Sequence, residues 1–181
     1  GAGYDVTTGN NNTAIGKYAM YNGDTTGDNN VAVGVNSGYD LTSGTQNTFV
    51  GANCASSNTT GDYNTAVGDS SLGTSTTEAG ANATTTSGST AIGYRAMGSY
   101  ATTGIDNTVV GKDSGRFLVS GQKNKFLGAN IGGTIEGSAN VSIGHYSMGS
   151  IQRYVSDSVV VGNNALAYHG AQCVAIGSSA L

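Results

Sequence analysis

Asn12-Thr13-Ala14-Ile15-Gly16 returns as Asn30-Val31-Ala32-Val33-Gly34, and again as Asn47-Thr48-Phe49-Val50-Gly51. A phrase of this form closes on glycine ten times, at Gly16, Gly34, Gly51, Gly68, Gly93, Gly111, Gly128, Gly144, Gly162 and Gly177. Successive spacings are 18, 17, 17, 25, 18, 17, 16, 18 and 15 residues. A unit this short cannot bury its own apolar side chains and has to stack on its neighbours. The pattern therefore predicts an all-β chain, a parallel β-solenoid (β-roll) of about ten coils of 15–18 residues, with residues 1–181 forming a single repeat array.

Working outward from each glycine sets the register. The preceding residue is always aliphatic (Ile15, Val33, Val50, Val67, Ile92, Val110, Leu127, Ile143, Val161, Ile176), which predicts a core-facing row. Two residues earlier stands Thr or Val, with Lys125 the exception. The residue between is mostly Ala, with Phe49 and Phe126 as bulky members. Side chains alternate along a strand, so these classes face opposite ways, and the Ala/Phe face is either interior or interface. A second glycine lies seven residues before the first in eight repeats, Thr86 and Val155 taking the other places. It reads as a turn position needing positive φ. Three residues after it Asn recurs (Asn12, Asn30, Asn47, Asn64, Asn107, Asn124, Asn140). Stacking would align these into a ladder. Downstream of the main glycine a small residue precedes Leu, Met or Gly, as in Tyr18-Ala19-Met20 and Ser70-Ser71-Leu72, read as a second short strand or bend.

Composition is consistent with this architecture. Charged residues make up only 10% of the chain and hydrophobic ones 37%, with thirty glycines and no proline or tryptophan. Such a composition would otherwise point towards disorder, but a solenoid needs only one or two apolar rungs per coil. Coils about 4.8 Å apart would make a rod of roughly 45–50 Å. A net charge of −4, with seven scattered basic residues, offers no groove for phosphates, so no nucleic-acid partner is expected. No run is long enough to span a membrane and no signal peptide is visible. The chain opens inside a repeat and stops at Leu181, which leads us to expect a piece of a longer fibre. Cys54 and Cys173 fall seven coils apart, roughly 34 Å, beyond the reach of a disulfide within one chain, and read as small buried residues.

The phrase Asn-Thr-Ala-Ile-Gly, a downstream Ala-Leu or Ala-Met, and the spacer Thr-Thr-Gly-Asp-Asn-Asn resemble two related sets of proteins. One is the YadA-like head of trimeric autotransporter adhesins. The other is the repeat region of phage and algal-virus tail fibres, which resembles this chain more closely because its coils are longer and carry the Thr-Thr-Gly-Asn loop. The resemblance covers residues 9 to 181. It implies left-handed parallel β-rolls assembled three chains to a fibre, and hence a homotrimer.

Few residues carry reactive chemistry in a usable arrangement. His145 and His169 are the only histidines and read as surface residues. The acidic residues Asp69, Glu78, Asp113, Glu136 and Asp157 do not share a rung, whereas a glycosidase needs two carboxylates about 5–10 Å apart. Asp28 and Asp62 read as turn formers. No catalytic residue, metal site or cofactor is expected. The one large irregularity is the insertion at 73–88, which lengthens the fifth repeat. Insertions map to one face of a solenoid, often the binding face. Tyrosines beside loops, including Tyr39, Tyr63, Tyr100, Tyr154 and Tyr168, offer rings for stacking on sugars. The candidate binding residues are Tyr100, Arg116, Arg153 and Tyr154, with the 73–88 loop beside them.

These readings converge on an extracellular, non-enzymatic fibre segment at a virion surface, serving display and attachment to a cell-surface receptor, most plainly a glycan. The alternative setting is the head of a bacterial trimeric surface adhesin. An alternative of another class is an ice-binding solenoid, for which the Thr column is interrupted by Val31, Lys125, Val141, Val159 and Val174 and is expected to be buried beside the aliphatic row.

Overall fold

The computed structural model describes residues 1–73, 84–98, 102–132, 136–149, 155–165 and 172–180. Each repeat contributes one three-residue strand: β1 (Thr13–Ile15), β2 (Val31–Val33), β3 (Thr48–Val50), β4 (Thr65–Val67), β5 (Thr90–Ile92), β6 (Thr108–Val110), β7 (Lys125–Leu127), β8 (Val141–Ile143), β9 (Val159–Val161) and β10 (Val174–Ile176). The ten form one parallel sheet in chain order, the topology of a β-solenoid. Every pair is in the register that the glycine phrase dictates, for example Thr48↔Thr65, Phe49↔Ala66 and Val50↔Val67. Among the described residues there is no helix.

The sheet corrects the expected facing. The middle residue of each strand points inward, and Ala32, Phe49, Ala66, Ala91, Val109, Phe126, Ser142, Val160 and Ala175 are all buried. The aliphatic row before the glycines, read from sequence as core, lies on the outer face, with Ile15 58%, Leu127 54% and Ile92 39% exposed. The coil lumen is too narrow for two large rows. The Ala-rich row fits inside it, and alternation then sends its neighbours outward.

Opposite the strand, the lumen is filled by the small-then-large pair after each glycine, such as Ala19-Met20, Ser71-Leu72 and Ala96-Met97, all buried. This segment is a chain of turns and not the expected second strand. Two of its positions per repeat take left-handed backbone, as at Asn53 (φ 51°) and Ala55 (φ 49°). Volume is balanced between neighbouring repeats. Where β3 carries Phe49, the preceding repeat has Gly38, and a methyl built there would lie 3.2 Å from the Phe49 ring. Gly115 stands in the same relation to Phe126, at 3.4 Å.

The second glycine also departs from expectation. The seven described members, among them Gly27 and Gly44, are not in the positive-φ region. They are required by close approach: a Cβ on Gly27 would overlap the carbonyl oxygen of Gly44 in the next coil. That same carbonyl accepts a hydrogen bond from Asn30 Nδ2 at 2.8 Å. The Asn ladder is thus half of a device whose other half is the glycine. Asn47 donates its backbone N–H and its amide to Asn30 Oδ1, both at 3.0 Å, and its amide also reaches the Gly61 carbonyl at 2.8 Å. Asn64, Asn107, Asn124 and Asn140 repeat the pattern with the carbonyls of Thr86, Gly121, Gly137 and Val155. In the fifth repeat Ser89 replaces Asn and Thr86 replaces Gly, and the pair divides the task. Thr86 Oγ1 donates to the Gly104 carbonyl, while Ser89 Oγ accepts the Asn107 N–H at 3.2 Å.

Candidate interaction surface

Among the described residues, the outer sheet face is left uncovered by the chain itself. Two rows run along it. One holds Ile15, Val33, Val50, Val67, Ile92, Val110, Leu127, Ile143, Val161 and Ile176. The other holds Thr13, Val31, Thr48, Thr65, Thr90, Thr108, Lys125, Val141, Val159 and Val174. Every one of these residues is exposed or half-buried. Strands about 4.8 Å apart make the strip about 43 Å long, and an apolar surface of that extent marks an interaction site in a soluble protein. Lys125 supplies the strip's one charge. Within it Thr48, Thr65, Thr90 and Thr108 occupy four consecutive rungs, each two residues from an outward Val or Ile. The Thr column expected to be buried is therefore on the open face. The reason is the same inversion that places Ile92 outside.

The turn side carries polar ladders. Asp28 accepts the Asn10 backbone N–H at 2.6 Å and its side-chain amide at 3.1 Å. Asp62 accepts Thr45 N–H and Oγ1 at 2.7 and 3.0 Å. Both carboxylates thus tie one coil to the one before it. Exposed amides pair in the same way at Asn11–Asn29 (3.2 Å), and half-buried ones at Asn36–Asn53 (3.0 Å).

Of the candidate site residues, Arg116 is half-buried with its guanidinium 5.0 Å over the Phe117 ring. Tyr100, Arg153 and Tyr154, with most of the 73–88 insertion, lie outside the described residues, as does His169. His145 is exposed and packs edge-on to Tyr146 at 4.2 Å. Among the described residues no three of His, Cys, Asp and Glu come together as a metal ion requires. Cys54 is fully buried, its Sγ 3.2 Å from the Ala66 carbonyl, and burial pushes its thiol pKa up to about 12. Cys173 is half-buried, and both thiols are free. No helix among the described residues is long and apolar enough to cross a membrane.

A group of rings that the sequence reading did not assemble lies on the turn side. Tyr4, Tyr21 and Tyr39 fall on one rung of successive coils, with centroids 5.4 Å apart for Tyr4–Tyr21 and 5.9 Å for Tyr21–Tyr39. Tyr18 joins them at 4.7 Å from Tyr21 and stands edge-on to Tyr39 at 6.4 Å. The available signal was spacing: Tyr21 and Tyr39 are 18 residues apart, one coil length.

Comparison with protein-family models, with curated proteins and with solved structures found no match to this chain.

Proposed function

We propose that this chain is a structural and receptor-attachment segment of an extracellular fibre of the viral tail-fibre type, without enzymatic activity, in which three copies pack along the aliphatic sheet face. The observation that carries this reading is the strip from Ile15 to Ile176. A row of Ile, Val and Leu kept outward over ten consecutive strands is unfavourable in water and becomes favourable once covered. Copies of the same chain present the same strip at the same rung spacing, so parallel packing matches row to row along the full length. The sequence resemblance to trimeric fibres supplies the number three. A bacterial trimeric surface adhesin would use the same face in the same way. Light scattering on the folded chain is the test. The expected mass is three times 18.0 kDa, and a stable monomer at high micromolar concentration would overturn the assembly.

A second reading is favoured by one specific observation, the open block Thr48, Thr65, Thr90 and Thr108 beside Val50, Val67, Ile92 and Val110. A flat, regular Thr/aliphatic array is the kind of surface that orders water on an ice lattice. The two readings compete for one face. A monomeric chain with thermal hysteresis would establish ice binding, whereas a trimer that covers the block would show none.

A further inference from the structure

We propose that the Tyr4–Tyr18–Tyr21–Tyr39 cluster is a binding site for neutral saccharides, a recognition site separate from the assembly face. The rings are not needed to close the coil. The rung that carries Tyr21 and Tyr39 is filled in later repeats by Ser56, Gly73, Gly98, Arg116 and Gly149, and those repeats wind in the same register. The inward volume is already supplied by Ala19, Met20, Ala32 and Leu41, all fully buried. Four rings have therefore been placed outside a finished core, where Tyr4 is 72% exposed and the other three are half-buried.

What surrounds the rings defines the ligand. The next residue along each coil is Asp5, Asn22 and Asp40 in turn, a row of acceptors and amides parallel to the ring ladder. Asn22 Nδ2 donates to Asp40 Oδ1 at 2.8 Å, which ties the side chains that follow Tyr21 and Tyr39 to each other. An aromatic surface edged by amide and carboxylate groups matches a pyranose ring. The sugar's C–H face packs on the Tyr rings, and its hydroxyls donate to Asp40 and exchange hydrogen bonds with Asn22. The fixed geometry of the row limits the ordering that binding requires. Among the described side chains of this segment, Asp5, Asp24 and Asp40 outnumber Lys17, whose ammonium lies 4.8 Å over the Tyr18 ring. This negative rim disfavours sialylated or uronic sugars and leaves neutral ones as the matching class.

The biological setting of this site rests on the attachment-fibre reading, but its chemistry does not. The test is binding of the full chain to an array of matched neutral and sialylated oligosaccharides, followed by titration of the best binder with tyrosine fluorescence, usable because the chain has no tryptophan. Neutral sugars should be retained over their sialylated counterparts. Tyr39→Ala and Asn22→Ala should each weaken binding by about tenfold or more, while Tyr63→Ala, an exposed tyrosine outside the cluster, should not change it. If Tyr39→Ala does not fold by circular dichroism, Tyr4→Ala carries the test, because its ring is largely exposed. No retention of any neutral sugar at millimolar concentration, retention of acidic sugars alone, capture of protein partners only, or wild-type binding by folded Tyr4 and Tyr39 variants would each overturn the site. Light scattering on the same samples keeps the two proposals apart. A monomer that binds neutral sugar retains the site without the fibre, and a trimer that binds none loses the site alone.

Discussion

At the scale of single residues, the same side chain has different consequences depending on whether its coil neighbours answer it. Asn47 is buried and fully bonded, because the repeats before and after offer Asn30 Oδ1 and the Gly61 carbonyl. Asn58 is equally buried, yet neither its amide nitrogen nor its side-chain oxygen has a hydrogen-bond partner among the described residues. Cys54 illustrates how a rung tolerates chemistry of equal size. The same position holds Ser37 and Ser71, which donate to the carbonyls of Phe49 and Ala91 as Cys54 does to that of Ala66. Cys54→Ser should therefore fold normally. It should also remove a pH dependence. The Cys54 thiol is raised from 9.0 to about 12 by burial, with the backbone near Val50 opposing and Asp69 adding to the rise. The unfolded chain loses that proton above pH 9 while the folded chain keeps it. The unfolded state then binds fewer protons, and stability falls as pH rises between 9 and about 12. At pH 10 wild type should have lost about 1.4 kcal/mol more than Cys54→Ser, relative to each protein at pH 7. Parallel denaturation curves for the two proteins at both pH values would refute this.

At the scale of one repeat against the next, the coil behaves as a fixed volume shared between a strand residue and a turn residue. Gly38 faces Phe49, and Gly115 faces Phe126. Met20, Leu72 and Met97 occupy the same turn position in repeats that do not face a Phe, at left-handed φ values of 47°, 51° and 52°. The backbone there already accepts an L side chain, so Gly38→Met should be limited by space alone. Overpacking should destabilise the chain by about 1–3 kcal/mol. Adding Phe49→Ala should recover most of the loss, since Met beside Ala is the combination found at Met20 and Ala32. Denaturant midpoints of the two single variants and the double variant measure the coupling. Additive losses would show that the two positions do not share volume.

At the scale of the whole molecule, the sheet separates two kinds of apolar residue that are adjacent in sequence. Val109 is fully buried and Val110 is only half-buried, although they are consecutive. An aspartate at 109 would place an uncompensated charge in the lumen, costing about 4 kcal/mol or more, and should unfold the chain. An aspartate at Ile92 would lie on the outer face of an isolated chain, so Ile92→Asp should keep its β spectrum as a monomer but fail to assemble. Circular dichroism together with light scattering tests both halves. If Ile92→Asp unfolds a monomeric chain, the outer placement of its row is wrong.

The repeat period, the parallel register and the Asn ladder could all be read from the chain alone. Each is a local pattern repeated from coil to coil, and stacking forces equivalent residues such as Asn30 and Asn47 into contact. Which strand face is interior could not be read in this way. Alternation establishes that Ala91 and Ile92 point opposite ways, but both are apolar, and hydrophobicity favours the larger one inside. The lumen decides otherwise, because its width is set by the turn segment across from the strand, where Leu72 and Met97 already fill the space. The role of the second glycine was hidden for the same reason. A turn glycine and a close-approach glycine look alike in sequence, and only the Gly44 carbonyl against Gly27 tells them apart. The tyrosine cluster likewise exists only when residues 4, 21 and 39 are brought to one rung by coil winding. What depended on periodicity was present in the sequence, and what depended on the width of the coil and on contacts between coils was decided by the tertiary structure.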